Sequence, residues 1–133
     1  MTTEVIYNGD LRTTARHIKS GDSLITDAPT DNRGKGAAFS PTDLVATALG
    51  TCILTIMGIK ARDKNWDMEG AKVAVTKTMG ANPRRIVKLE VIVTMPSKDY
   101  TPQMKKILEA AAHGCPVAAS LHPDLEEIIH FVW

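Results

Sequence analysis

No excess of either charge marks this chain: 16 Lys and Arg stand against 15 Asp and Glu, mixed along 133 residues, for a formal charge of +1. With no basic patch to meet phosphates, neither a nucleic acid nor an anionic membrane is an expected partner. The opening "MTTEVIYNGD" lacks the charged start and apolar stretch of an export signal, so a cytoplasmic location is the expectation. Long apolar runs are missing too. The longest charge-free stretch, Leu44 to Ile59, is shorter than the roughly 20 residues that cross a bilayer, and it contains three Thr and two Gly. It reads as a core helix. Cysteine is scarce: Cys52 and Cys115 lie 63 positions apart and form no C-x-x-C pair. In a reducing compartment a permanent structural disulfide is not expected, and any pairing of the two belongs to chemistry. His17, His113, His122 and His130 have no metal-ligand spacing beyond "HGC" at 113 to 115, so no metal site is expected. "NRGKGAA" lacks the G-x-x-x-x-G-K-[ST] order of a phosphate loop. Neither a repeat nor a low-complexity tract occurs.

A hydrophobic share of 44% over this length supports one core, and a single domain over 1–133 is expected. The first quarter alternates short β-prone runs, "EVIY", "LRTTARHI" and "SLIT", with Asn8-Gly9-Asp10 and Lys19-Ser20-Gly21-Asp22, whose Gly and Asn accept the positive φ of tight turns. Three antiparallel strands are predicted. Ala28 to Phe39 has turn residues and no period, and is expected to be a mobile loop. A helix follows, with Ser40 as N-cap, Pro41 at its first position and Asp43 reaching back as in a capping box. From Leu44 to Ile59 it is apolar nearly all round, so it must be enclosed on nearly all sides, more than one chain of this size readily provides. Lys60, Arg62 and Lys64 suit the negative end of its dipole.

"AKVAVTKTM" and "IVKLEVIVTM", joined by "GANPRR", read as a long hairpin with Val73 and Val75 pointing inward, and Pro96 ends it. "TPQMKKILEAAAHG" is a second helix, capped by Thr101, with Met104, Ile107, Leu108 and Ala111 as its apolar stripe and Gly114 as its terminator. After Cys115-Pro116 come a short helical "VAASL" and a closing strand, "LEEIIHFVW". The class is α+β.

The two thiols differ in setting. Cys52 sits mid-helix among Leu49, Ile53, Leu54 and Ile56, where apolar burial raises a thiol's pKa and leaves it inert. Cys115 precedes Pro116 at the start of a helix, where free N–H groups favour a thiolate. For Cys52 to act as a nucleophile it needs a cation. Arg12 and Arg16 share one face of a strand by its period of two, and either guanidinium could serve; both could equally be solvated. Asp43 could orient such an arginine, yet nine residues of helix are about 13 Å of rise, so Asp43 and Cys52 of one unbroken helix do not meet. Capping is enough to account for Asp43. "PRR", Pro83 to Arg85, reads as a solvated hairpin tip.

Taken together, "SPTDLVATALGTC" and, some sixty residues on, "HGCPV", with hairpins before and between and "SGDSLITDAP" ahead of the loop, resemble the OsmC/Ohr family of thiol-dependent hydroperoxide-reducing and stress-related proteins. The resemblance implies an OsmC-like fold in which antiparallel sheets enclose a long central apolar helix within an intertwined homodimer. It also implies roles. Cys52 attacks the peroxide and becomes a sulfenic acid, Cys115 condenses with it to a disulfide, and a small dithiol or lipoylated-protein reductant restores both, with no bound cofactor. Arg12, with Arg16 as rival, stabilises the thiolate. Clear organic hydroperoxide reductases of the family carry a glutamate ten positions before the first cysteine. Here Thr42 stands there, and Asp43 is one place later, which is closer to the broader OsmC-like branch. An organic hydroperoxide is the expected substrate, its tail held by Leu49, Ile53 and Ile56. The alternative is a non-peroxidase binding or thioester-handling module that uses the apolar interior of the dimer, with Asp43 polarising water.

Overall fold

The computed structural model describes residues 1–133, which form two compact units, Met1–Val45 and Ala46–Trp133. In the first, β1 (Thr3–Gly9), β2 (Arg12–His17) and β3 (Ser23–Asp27) make an antiparallel sheet in chain order, as predicted. The β1–β2 turn lies later than Asn8-Gly9-Asp10 suggested. Register passes from Tyr7↔Thr13 to Gly9↔Arg12, leaving Asn8 as a bulge. Gly9 takes φ +86°, and the tip falls on Asp10 and Leu11, both at positive φ.

The segment expected to be mobile has fixed hydrogen bonding instead. Thr30–Asn32 is a 3-10 turn, the N–H groups of Asn32 and Gly34 donate to Pro29 O, and that of Gly36 donates to Ala28 O. A Cβ on Gly34 would lie 1.6 Å from Ala28 O, so the loop is packed onto its own start by a residue with no side chain. Phe39 then bridges Thr26 in parallel. Sequence period could not reveal this, because the order comes from backbone bonds at turn residues.

The helix that follows, α1 (Pro41–Asp63), begins with the reciprocal cap. Asp43 N–H donates to Ser40 Oγ at 3.1 Å, and Ser40 N–H donates to Asp43 Oδ2 at 2.8 Å. Its end is a Schellman motif: Asn65 adopts φ +54°, Asn65 N–H donates to Arg62 O and Trp66 N–H to Ala61 O. Lys60 and Arg62 lie in the last turn, and Lys64 falls just beyond it. At 23 residues α1 outruns the charge-free stretch, and by length and composition it could cross a membrane. Its buried stripe nonetheless packs as a core helix.

That stripe lies in the second unit, where β4 (Lys72–Gly80), β5 (Arg85–Thr94) and β6 (Glu126–Val132) form a sheet with β5 central. The β4–β5 hairpin is antiparallel as predicted, but β6 runs parallel to β5. A parallel return needs a long crossover, and α2 (Pro102–Ala112) and α3 (Pro116–Ser120) supply it. Leu49, Ile53, Met57 and Ala61 of α1, spaced at helical period, meet Leu89, Val91 and Val93 of β5, spaced by two, and Leu108 and Ala112 of α2. Gly50 lets α1 approach β4. A Cβ there would meet Val75 Cγ2 at 2.9 Å and Val73 Cγ1 at 3.1 Å, which also puts both valines inward as expected. On α2, the Thr101 cap forms through Met104 N–H at 3.2 Å, and the fully buried line runs through Leu108 and Ala112, with Met104, Ile107 and Ala111 flanking it half-buried.

Candidate active site

Cys52 projects from the middle of α1 and is half-buried, whereas Cys115 is 1% exposed at the N-cap of α3. The fold sets Cys52 close enough to act on the thiol of Cys115, and both are free. Two elements impose this meeting: the helical spacing that sends Leu49 and Ile53 into the core leaves Cys52 at the edge of the buried stripe, and Pro116 fixes where α3 starts. The thiol of Cys115 is pushed above its ordinary value first by burial and then by the neighbouring thiol of Cys52; the amides of Ala118 and Val117 pull the other way. Expectation favoured a thiolate at Cys115 because of the helix start. Burial outweighs it: lost hydration of the thiolate exceeds what the two amides of Val117 and Ala118 return. A protonated, enclosed Cys115 beside a partly open Cys52 is an asymmetric pair, suited to one thiol that reacts first and one that closes on it.

Among the other residues singled out, Arg12 and Arg16 are separated by their neighbours. Arg12 lies directly across from Asp27 in the β2–β3 ladder, and its Nε stands 3.8 Å from Asp27 Oδ1. Arg16 pairs with Ser23 and Glu4, is exposed, and borders a small open recess with Thr3, His17, Asp22 and Leu24. Asp43 is held in the α1 cap. The pocket expectation needs correction: Leu49 and Ile53 are 0% exposed, so they are core and offer no surface to a ligand. Ile56 alone of the three keeps open surface, on a stripe with Ala48, Thr51, Thr55 and Ile59. No group of three or more His, Cys, Asp or Glu is placed to hold a metal ion.

Asp27 was missed in the sequence, and the turn before it does not reveal it. Pairing centred on the Lys19-Ser20-Gly21-Asp22 turn sets Asp27 opposite Thr14, whereas the observed register is offset by two and sets it opposite Arg12.

A model of the OsmC-like protein family matches residues 34–127. A crystal structure from Psychrobacter arcticus 273-4, of a protein named for osmotic stress induction and a detoxification response, is 48% identical, with a TM-score of 0.94 over 98% of this chain and 95% of that one. An organic hydroperoxide resistance protein OsmC from Legionella pneumophila shares the fold at 14% identity and a TM-score of 0.78, covering 100% of this chain and 98% of that one. An organic hydroperoxide resistance protein from Elizabethkingia anophelis, crystallised with thiocyanate bound, does so at 13% and 0.76, with 99% and 96% covered. No protein with a curated description matches the chain.

Proposed function

This chain belongs to the OsmC-like family, and from that premise we propose that it is a thiol-dependent hydroperoxide reductase acting through Cys52 and Cys115. What supports this reading is that two free thiols, 63 residues apart in sequence and unlike in exposure, lie close enough for one to act on the other.

The Cys52 thiolate attacks the outer oxygen of ROOH. The O–O bond breaks, ROH leaves after the inner oxygen takes a proton, and Cys52 becomes a sulfenic acid. Cys115 sulfur then displaces that hydroxyl, its own proton leaves with it as water, and a Cys52–Cys115 disulfide remains. A dithiol, free or carried as a lipoyl group on a protein, reduces the disulfide by two exchanges and is itself oxidised to a cyclic disulfide. The family resemblance gives an arginine the task of favouring the Cys52 thiolate, Arg12 or its rival Arg16, and of the two Arg12 is the one ion-paired to a carboxylate, Asp27. The open, apolar stripe through Ile56 favours an organic peroxide over hydrogen peroxide.

The active form is a homodimer. Only 33% of the most apolar window of α1 is buried within one chain, and Val5, Ile6, Tyr7 and Ile25 of the first sheet are each more than half exposed. A second copy covers such surfaces at low cost. The test is consumption of cumene hydroperoxide with dihydrolipoamide as reductant. Wild type turns over, Cys52→Ser is inactive, and Cys115→Ser gives at most one turnover. Acyl thioester hydrolysis that survives Cys52→Ser, without peroxide turnover in wild type, would favour a thioester-handling module.

A further inference from the structure

The end of α2 makes no use of the left-handed stop that a glycine often supplies. His113, its C-cap, is still helical at φ −72° and ψ −10°, and Gly114 does not take a positive φ. The residues on either side favour helix, with "EAAA" before the break and "VAAS" after it. Pro116 is what interrupts them. In a continuous helix its ring would meet the carbonyl of Ala112, it has no N–H to donate, and it bars the residue before it from helical ψ. Cys115 accordingly is extended, at φ −69° and ψ 121°, and becomes the N-cap of α3.

We infer that Pro116 is the positioning residue for Cys115 in disulfide closure, an inference that rests on the thiol cycle proposed above. The turn is held on both sides of the proline: Ala119 N–H donates to Cys115 O at 3.2 Å, and the Ser120 hydroxyl donates to Pro116 O at 2.8 Å. Leu108, Ala112 and Cys115 follow one another at helical spacing, and all three reach the core. The proline therefore does not decide whether Cys115 is buried. It decides how the sulfur is aimed, because an extended residue 115 turns its side chain toward the amides of Val117 and Ala118 instead of continuing the line of α2. A disulfide forms only over Cα separations of about 4.4–6.8 Å and with a torsion of about 90°, so a misdirected sulfur closes slowly. The attack on peroxide is made by Cys52, on α1, and does not pass through this turn.

The experiment gives the reduced full-length protein one equivalent of cumene hydroperoxide and quenches it over time, with dimedone to trap sulfenic acid and intact mass to count the disulfide. In Pro116→Ala the Cys52 sulfenic acid is expected to form at the wild-type rate, while closure slows about tenfold or more and the dimedone adduct accumulates. Wild-type closure in a folded Pro116→Ala protein overturns the inference and leaves the thiol reading standing. Equal slowing of both steps also overturns it, since that marks a proline needed only for the fold. Wild type that forms no disulfide overturns both. If Pro116→Ala does not fold, exchange of the wild-type Ala119 amide decides: protection supports a held turn at Cys115, and free exchange overturns it.

Discussion

Gly50→Ala sets two known effects against each other at a position where the structure gives the distances. Alanine in a helix interior is favoured over glycine by about 1 kcal/mol. The new methyl, however, would lie 2.9 Å from Val75 Cγ2 and 3.1 Å from Val73 Cγ1, against ordinary contacts of 3.4–4 Å. Overpacking of this kind costs about 1–3 kcal/mol. The net is a loss of about 0–2 kcal/mol, centred near 1, which lowers a urea midpoint by roughly 0.3–1 M at the slopes usual for small domains. The cycle with Val75→Ala isolates the packing part. Once the nearer γ carbons are removed, Gly50→Ala becomes neutral or stabilising, giving a coupling of about 0.5–3 kcal/mol. Equilibrium unfolding of the four proteins, with unchanged slopes, is the assay. If Gly50→Ala alone raises the midpoint and the coupling is zero, α1 does not approach β4 closely and the account of the core is wrong.

Leu108, fully buried where α2 meets the core, should cost about 2–5 kcal/mol on replacement by Ala, read as a lower urea midpoint; a change below 1 kcal/mol would contradict its burial. Gly34→Ala drives a Cβ into the Ala28 carbonyl and should break the loop's hydrogen bonds. Trypsin then cuts faster at Arg33 and Lys35, and unchanged cleavage refutes the packed loop. For Cys115, a raised thiol pKa means the folded chain holds that proton more tightly than the unfolded chain does. Its stabilising contribution is complete below the ordinary value of 9.0 and is lost as pH climbs through the folded value. Stability should therefore fall more steeply above pH 9 in wild type than in Cys115→Ala, and parallel curves would remove the burial argument.

Local signals carried well from sequence to structure. Ser40-Pro41-x-Asp43 and Thr101-Pro102 are chemical instructions for helix starts, and both caps formed. Alternation identified the strands for the same reason: side chains of one face must reach one core. Pairing direction was another matter. β6 alternates as any strand does, and nothing in its residues says that β5 lies parallel to it. The loop 28–39 has no period because its order comes from Gly34 lying on Ala28, a contact that has no side chain to read. At the site, the cysteines were visible as residue types, but their proximity depends on the crossover through α2 and α3. Leu49 and Ile53 looked like pocket walls because apolar side chains line cores and pockets alike. Asp27 went unnoticed because its partner is fifteen residues away through a turn and the register is offset from that turn's centre.

The central claim is that Cys52 reacts and Cys115 closes on it. Intact mass and free-thiol count after one equivalent of cumene hydroperoxide test this most directly, with Cys52→Ser and Cys115→Ser alongside. The account predicts that wild type loses both thiols and about 2 Da, that Cys115→Ser gains about 16 Da as a trapped sulfenic acid, and that Cys52→Ser is unchanged. Wild-type protein that keeps both thiols and its mass would make Cys52 a packing residue and contradict the account.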